Sequence, residues 1–238
     1  MSLMKPTDGI VSRYINRRIS TRISRLIVNR FGEVSPNKIT LISMLVGLFA
    51  AIIYIFDQPI LAGIMVQIAS IIDGVDGEIA RALNKESEFG AFLDSLTDRI
   101  VDTAILTCFA IFIWRTYSGI YSSDLLLLVI ALALSGSILV SYSRTRCEAT
   151  LGIDPRKLGE RKIASRDIRL FIIFAGSILG FYLEALIMIA LLTYLHIIMS
   201  VVKVYRTILN IGLSLELPKE PPATPTNKSG VVESQLVK

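Results

Sequence analysis

Residues 73–81 read Asp-Gly-Val-Asp-Gly-Glu-Ile-Ala-Arg, and residues 90–98 read Gly-Ala-Phe-Leu-Asp-Ser-Leu-Thr-Asp. Both stretches lie between strongly apolar runs, so we expect each of them on a helix. At about 3.6 residues per turn, residues three and four apart share a helix face. The residues brought to one face are Asp73, Asp76, Gly77 and Ala80 on the first helix, and Gly90, Asp94 and Asp98 on the second. Each helix thus presents two carboxylates beside residues with little or no side chain.

Four carboxylates gathered at a membrane boundary repel one another and are costly to desolvate, so a positive charge is expected among them. Oxygen ligands in that number suit Mg²⁺ or Mn²⁺. Zinc-type thiolate chemistry is excluded, because the chain has only Cys108, Cys147 and one histidine. Arg81 lies one turn beyond Gly77 and can hold a phosphate. The pattern predicts a site where divalent metal binds a diphosphate.

The eight fixed positions and both spacings of this pattern resemble the signature of the CDP-alcohol phosphotransferase family. The resemblance implies attack by an acceptor hydroxyl on a CDP-linked donor, release of CMP, and two divalent ions, Mg²⁺ or Mn²⁺. It implies a proton-abstracting role for Asp98, in addition to metal binding. The implied metal ligands are Asp73, Asp76, Asp94 and Asp98, and the implied nucleotide-binding residues are Asp73, Gly77, Ala80, Arg81 and Gly90.

The composition predicts an all-α polytopic membrane protein. The chain has 238 residues, of which 53% are hydrophobic, and its mean hydropathy is positive. A membrane-spanning helix needs about 20 mostly apolar residues. We count six candidate spans, roughly at residues 38–56, 60–82, 91–114, 124–144, 168–183 and 185–206.

The positions of the basic residues predict the topology. If both termini are cytoplasmic, 24 of the 25 Lys and Arg residues lie on the cytoplasmic side, and Arg115 is the exception. This bias follows the positive-inside rule. We therefore expect an integral protein of a prokaryotic plasma membrane, with the active site and both termini cytoplasmic. Because the basic residues bracket apolar spans, we expect them to face lipid rather than nucleic acid.

The segment from Ile10 to Phe31 has the pattern of an amphipathic helix at the membrane interface. The apolar positions recurring at helical spacing are Val11, Ile15, Ile19, Ile23, Leu26 and Ile27. Arginines lie mostly off that stripe, at 13, 17, 18, 22 and 25, and we expect them to face lipid headgroups. Packing against the cytoplasmic face of the protein itself is an equal and compatible alternative. Glu78, by contrast, points away from the motif face and is expected to be solvated.

We predict three regions along the chain. Residues 1–34 form a linker and the interfacial helix, residues 35–209 form the six-helix catalytic domain, and residues 210–238 form a disordered tail rich in proline. Gly32 is expected to end the first helix, with Pro36 opening the next. The Pro-Asn-x-x-Thr sequence ending at Thr40 resembles the start of the first span in the same family, where it borders the nucleotide.

Arginines near the cytoplasmic ends of the last three spans suggest an acceptor site. Ser141, Tyr142, Arg144 and Arg146 resemble the segment that helps bind the acceptor phosphate in the phosphatidylinositol-phosphate synthase branch of the family. The residues taken as acceptor-binding are Ser141, Arg144, Arg166 and Arg206. The implied acceptor is a phosphorylated polyol, with inositol 1-phosphate as the leading candidate. Snorkelling of terminal basic residues is the structural alternative for each arginine. Asp102 is expected to bond a neighbouring helix.

The donor remains open between a CDP-linked lipid, of the diacylglycerol or archaeol type, and CDP-inositol. The opening from Lys5 to Tyr14 resembles the membrane domain of archaeal bifunctional enzymes that join CDP-inositol to inositol phosphate. In those enzymes a cytidylyltransferase domain precedes this point, and we expect none in this chain. Two rivals from other classes also use membrane aspartates: a UbiA-type prenyltransferase and a cation or proton transporter. Gly176-x-x-x-Gly180 permits close packing, either in the expected homodimer or within the bundle.

Overall fold

A computed structural model describes residues 12–32, 34–155 and 163–211. Within these residues the regular secondary structure is helical, and there is no strand. A π-helical turn at Ser12–Asn16 leads into the first α-helix. The α-helices are α1 (Arg17–Phe31), α2 (Pro36–Ile55), α3 (Pro59–Ala82), α4 (Glu88–Tyr117), α5 (Ser123–Leu151), α6 (Arg166–Leu179) and α7 (Tyr182–Ile211). The chain divides into two units, Met1–Val204 and Tyr205–Lys238, and the contacts given below lie within the first.

Four of the described helices are long and apolar enough to cross a membrane, namely α2, α3, α5 and α7. The other two predicted spans coincide with α4 and α6. The first half of α4 carries the charged residues Asp94, Asp98, Arg99 and Asp102, which lowers its apolar length. With 14 residues, α6 is only about 21 Å long, against a hydrocarbon core of about 30 Å. The helical class is confirmed, and the count of six spans stays a prediction.

At the centre of the bundle, α2 packs against both α3 and α4, while α6 packs on α3 and α5 on α4. Glycines bring these helices close together. A Cβ on Gly47 would approach Val101 of α4 to 2.5 Å, and a Cβ on Gly63 would approach Ser177 of α6 to 2.5 Å. Small residues at such crossings let membrane helices approach closely. This close packing joins α2 to the middle of α4, and the start of α3 to the end of α6.

Gly176 and Gly180 are used at the turn between α6 and α7. A Cβ on Gly176 would lie 2.6 Å from the Cβ of Ala185, and Gly180 has a φ of 80° at the end of α6. A positive φ of this kind favours glycine. Gly176 therefore serves packing within the chain, the second of the two alternatives, whereas Gly180 serves the turn. The homodimer stays a prediction.

The first helix ends at Gly32 as predicted, with a φ of 60°. Its buried face differs from the predicted one. Ser20, Ser24 and Arg17 are buried against α3, whereas Ile19 and Leu26 of the apolar stripe are 42% and 63% exposed. Packing on the protein's own surface is therefore confirmed. The expectation that Arg17 faces lipid headgroups is wrong, because its guanidinium has a carboxylate partner inside the protein.

That partner is Glu78, for which the expected solvation is also wrong. Its side chain is fully buried, and its carboxylate accepts hydrogen bonds from Arg17 at 2.7 Å, Ser20 at 2.8 Å and Ser24 at 2.7 Å. A carboxylate removed from water needs such partners. The polar side of α1 supplies them, which explains why that side faces inward. Ile10, Val11 and the predicted tail beyond Ile211 lie outside the described residues, and the predicted domain limits stay predictions.

Candidate metal and substrate site

The two motif segments meet because the loop between α3 and α4 is short. The chain leaves α3 at Ala82 and enters α4 at Glu88, passing through Asn84 in a left-handed conformation with a φ of 52°. Ser87 then caps α4, since its hydroxyl accepts a bond from the backbone N–H of Gly90 at 3.0 Å. A hydroxyl in this position satisfies an otherwise unpaired donor of the first turn. The turn therefore places the carboxylates of α3 opposite those of α4.

Three of the four predicted ligand aspartates converge. One carboxylate oxygen from each of Asp73, Asp94 and Asp98 lies within 4.8 Å of the other two, and all three residues are partly buried. This spacing and this all-oxygen donor set fit Mg²⁺ or Mn²⁺. An aspartate cluster that can bind a divalent metal is therefore present, and the exact ligand set stays a prediction.

Asp76, the fourth predicted ligand, has a different environment. Its carboxylate accepts a hydrogen bond from the Thr40 hydroxyl at 2.5 Å and contacts the backbone N–H of Gly77, also at 2.5 Å. Thr40 belongs to α2, so this bond joins the first span to the motif. Asp76 is buried and lies outside the group of three. Asp76 instead lines a cavity next to the aspartate cluster.

A cavity of about 120 Å³, here called the α2 cavity, lies between α2, α3 and α4. Its lining includes every predicted nucleotide-binding residue except Asp73, namely Thr40, Gly77, Ala80, Arg81 and Gly90, together with Asp76 and Asp94. Gly77 and Gly90 have no side chains to fill it. Lys85 adds a second basic residue to the lining. The predicted nucleotide residues are therefore brought to one place, next to two of the predicted metal ligands.

Replacing Gly77 by valine should fill this cavity. A Cβ at Gly77 already reaches 3.4 Å from a guanidinium nitrogen of Arg81, so a branched side chain must displace Arg81 or the nucleotide. We expect the KM for a CDP-linked donor to rise at least about tenfold, which corresponds to about 1.4 kcal/mol. The measurement is CMP release at varied donor concentration. Gly119→Val, at a glycine with open space around it, is the control and should leave the KM unchanged.

Arg166, predicted to bind the acceptor, lies among the carboxylates. Its guanidinium contacts Asp73 at 2.5 Å, Asp98 at 3.0 Å and Asp102 at 2.8 Å, and the side chain is 16% exposed. Arg169 also contacts Asp102, at 2.8 Å. The prediction that Asp102 bonds a neighbouring helix is thereby confirmed. Arg166 joins α3, α4 and α6 through charge-assisted bonds, and its role toward an acceptor stays a prediction.

A second cavity, here called the α6 cavity, has a volume of about 250 Å³. Two members of the carboxylate cluster, Asp73 and Asp98, line one side of this cavity together with Arg166. The rest of the lining is mostly polar. The additional lining residues are Ser12, Asn16, Arg17, Ser20, Ser70, Gly74, Ser165 and Asp167. The cluster of Asp73, Asp94 and Asp98 thus lies between two cavities, with Asp94 facing the α2 cavity.

The remaining predicted acceptor residues lie at the ends of two other helices. Ser141 and Arg144 are half-buried in the last part of α5. Arg206 belongs to the second unit, on the last turns of α7. Approach of these three residues to an acceptor stays a prediction.

Sequence reasoning missed Asn16 and Ser70, which line the α6 cavity. The amide nitrogen of Asn16 donates to the Ser70 hydroxyl at 3.0 Å, and Gln67 donates to the Asn16 oxygen at 2.8 Å. A signal was present: Gln67 and Ser70 are polar residues three apart within an apolar span, so they share one face. Polar side chains in that setting require partners, and the N-terminal segment provides one.

The bundle and its carboxylates define a class: a helical membrane protein with an acidic centre suited to divalent metal. Comparison with known families is more specific. Residues 33–209 match the family model described as CDP-alcohol phosphatidyltransferase. The chain belongs to that family, which confirms the resemblance found in the motif and favours it over the prenyltransferase and transporter alternatives.

Two relatives illustrate the range of similarity. The bifunctional IPC transferase and DIPP synthase of Aquifex aeolicus is 38% identical over 206 residues, covering 84% of this chain and 45% of that protein. The archaetidylinositol phosphate synthase of Pyrococcus horikoshii is 36% identical over 168 residues, covering 71% of this chain and 82% of that protein. The chain thus spans less than half the length of the bifunctional relative.

Solved structures share the fold. Phosphatidylinositol phosphate synthase of Mycobacterium tuberculosis, in complex with manganese and citrate, has a TM-score of 0.65 at 23% identity, covering 79% of this chain and 89% of that chain. The same protein with CDP-DAG bound has a TM-score of 0.61 and covers 87% of this chain.

Proposed function

We propose that this protein transfers a substituted phosphate from a CDP-linked donor to the hydroxyl of a phosphorylated polyol and releases CMP. The observation that carries the proposal is the placement of Asp73, Asp94 and Asp98 between two separate cavities. One cavity is lined by the residues that the family motif assigns to the nucleotide. The other is polar and contains Asp98 and Arg166. A reaction that joins two substrates at one metal centre needs this arrangement.

In the proposed reaction, the acceptor oxygen bonds to the β-phosphorus while the bond from that phosphorus to the oxygen of CMP breaks. Asp98 takes the hydroxyl proton, and CMP leaves with the electron pair. Asp73, Asp76, Asp94 and Asp98 would hold two divalent ions, Mg²⁺ or Mn²⁺, which neutralise the diphosphate and stabilise the leaving group when bound. The protein otherwise positions the reactants, which supplies much of the catalysis in phosphoryl transfer.

The α2 cavity is proposed as the donor site. Thr40 holds Asp76 in place by a hydrogen bond, and Arg81 lines the cavity beside Gly77 and Gly90. A donor with lipid tails, of the CDP-diacylglycerol or CDP-archaeol type, would keep those tails in the leaflet while its headgroup enters. The relative named archaetidylinositol phosphate synthase and the solved neighbour with CDP-DAG bound support a lipid donor.

The α6 cavity is proposed as the acceptor site, with inositol 1-phosphate as the leading acceptor. Its serine hydroxyls and the Asn16 amide suit a polyol, because each can donate and accept hydrogen bonds. Arg166 adds positive charge next to Asp98. Ser141 and Arg144 are proposed to bind the acceptor phosphate from the end of α5. A part for Arg206, which lies in the second unit, stays a prediction.

The proposed membrane arrangement has six spans, in which α4 and α6 cross as shorter or partly polar helices beside the four apolar ones. The site and both termini are proposed to be cytoplasmic on the basis of the lysine and arginine bias. The exposed apolar stripe of α1, with Ile19 and Leu26, would lie in the membrane interface. The working form is proposed to be a homodimer in a prokaryotic plasma membrane.

A second candidate is transfer from CDP-inositol to inositol phosphate, giving a soluble di-inositol phosphate. The matches at 38% and 41% identity to proteins named bifunctional IPC transferase and DIPP synthase favour it. The same two cavities would serve, with the donor entering from water.

The test is CMP release by purified protein with Mg²⁺ or Mn²⁺. CDP-archaeol, CDP-diacylglycerol and CDP-inositol are each supplied with inositol or inositol 1-phosphate, and the products are identified by mass. We expect turnover with a lipid donor and inositol 1-phosphate. Turnover only with CDP-inositol would establish the second candidate, and no CMP from any donor would reject both.

Arg144→Ala should separate the two substrates kinetically. If Arg144 binds the acceptor phosphate, its loss removes a charge-assisted bond worth about 1.5–3 kcal/mol. We expect the KM for inositol 1-phosphate to rise about 10- to 100-fold and the donor KM to change less than threefold. Arg146→Ala, at an exposed arginine on the same helix, is measured for comparison. A change of less than threefold in the acceptor KM of Arg144→Ala would remove Arg144 from the acceptor site.

A further inference from the structure

A buried ion pair joins α1 to the helix that carries Asp73 and Asp76. Arg17 and Glu78 are 9% and 0% exposed in their side chains and approach to 2.7 Å. Ser20 and Ser24 donate to the same carboxylate, and Thr21 approaches it at 3.3 Å. One face of α1 thus directs four donors at a single acidic side chain.

This degree of burial is not needed merely to attach α1. An apolar contact of the same size would attach it without desolvating a charge, and replacing buried ion pairs by apolar residues is often neutral or stabilising. The pair fixes the relative orientation of α1 and α3, because a carboxylate that accepts several hydrogen bonds tolerates little rotation of either helix. The rotation of α3 matters because this helix carries Asp73 and Asp76.

Arg17 also contacts the motif turn directly. Its guanidinium donates to the backbone carbonyl of Gly74 at 3.3 Å. Gly74 follows Asp73 and precedes Asp76 by two residues, so this bond holds the backbone between the two aspartates. Arg17 therefore fixes α3 at two points, the Gly74 carbonyl and the Glu78 carboxylate.

The helical geometry places Glu78 on the side of α3 away from Asp76. At about 100° per residue, Glu78 lies roughly 160° around the axis from Asp76. Asp76 points toward Thr40 and the α2 cavity, whereas Glu78 points toward α1. A rotation of α3 that loosened Glu78 would move Asp73 and Asp76 together relative to Asp94 on α4.

We propose that Arg17 and Glu78 are positioning residues that set the rotation of α3, and with it the affinity of the aspartate cluster for divalent metal. The inference rests on the proposed function in so far as Asp73 and Asp76 are metal ligands. Groups that orient metal ligands commonly change affinity 10- to 100-fold when they are removed. The same range is expected here.

The test measures Mn²⁺ binding directly, by the paramagnetic resonance signal of free Mn²⁺ titrated with purified protein, alongside the apparent Mn²⁺ requirement for CMP release. For Glu78→Gln and Arg17→Gln we expect Mn²⁺ affinity to fall at least about tenfold. For Glu78→Gln, excess Mn²⁺ should restore much of the rate, and the donor KM at saturating metal should change little. Arg17 also lines the α6 cavity, so for Arg17→Gln the deciding measurement is Mn²⁺ affinity. Arg17→Lys, which keeps the charge but replaces the planar guanidinium by a flexible ammonium, should fall between Arg17→Gln and the unchanged protein.

The matched control is Asp57→Asn, which removes an ion pair with Arg115 of 3.3 Å that contacts neither α3 nor the cluster. It should leave Mn²⁺ affinity unchanged. Thermal unfolding in detergent is measured for every variant, and a variant that unfolds at the assay temperature is studied at a lower one. Folded Glu78→Gln and Arg17→Gln with unchanged Mn²⁺ affinity would overturn the inference. Absence of Mn²⁺ binding in the unchanged protein would instead overturn the proposed function.

Discussion

Asp98→Asn should abolish transfer while leaving the donor bound. Asparagine keeps the size of the side chain but cannot accept the proton of an attacking hydroxyl, and loss of a general base costs about 10²- to 10⁴-fold in rate. The substitution removes one of three like charges held within 4.8 Å, which relieves repulsion. It also removes the contact of Asp98 with Arg166, which keeps its contacts with Asp73 and Asp102, so we expect the protein to stay folded. The measurements are single-turnover CMP release and binding of labelled CDP donor.

The matched control is Asp102→Asn, one turn further along the same helix. Asp102 contacts Arg166 and Arg169 and has no proposed part in the chemistry. It should lower the unfolding temperature, while folded protein at low temperature retains transfer. The base assignment would be contradicted if Asp98→Asn transferred at a rate within threefold of that of the unchanged protein. It would also be contradicted if Asp98→Asn lost donor binding but reacted at the normal rate once the donor was bound.

Arg166→Gln is expected to have the largest effect on stability. It leaves Asp73, Asp98 and Asp102 without the guanidinium that contacts all three. Breaking a buried ion pair from one side typically costs about 3–5 kcal/mol, because the remaining charge stays buried without compensation. We expect a clear drop in the unfolding temperature in detergent, with much of the loss restored by millimolar Mn²⁺, since a bound cation stabilises the folded state.

The stability of Arg166→Gln is compared with that of two other variants. Arg166→Lys keeps the charge but cannot contact three carboxylates at once, so its stability should be intermediate. Arg115→Gln removes an arginine that contacts Asp57 near the surface, and exposed pairs contribute little, so its unfolding temperature should change only slightly. If Arg166→Gln were as stable as Arg115→Gln, or if Mn²⁺ gave it no extra protection, the cluster would not depend on positive charge.

The sequence alone determined the class of the protein and most of the residues that line the α2 cavity and the aspartate cluster. The aspartates and glycines of α3 and α4 repeat at helical spacing, and apolar runs surround them. Both features are local, because one turn of helix sets which neighbours share a face. For this reason the residues predicted to bind the nucleotide could be named before the α2 cavity was seen.

Only the tertiary structure decided which charges meet. Arg166 contacts Asp73 across 93 residues, and Arg17 contacts Glu78 across 61. Helical periodicity specifies the face of each helix but not the helix opposite it, so Glu78 was wrongly expected in water and Arg17 at the lipid headgroups. The same limit applies to Asp76, which pairs with Thr40 of α2 rather than joining the group of three. Packing selects these partners, because a buried charge is stable only where another helix supplies its counter-charge or donors.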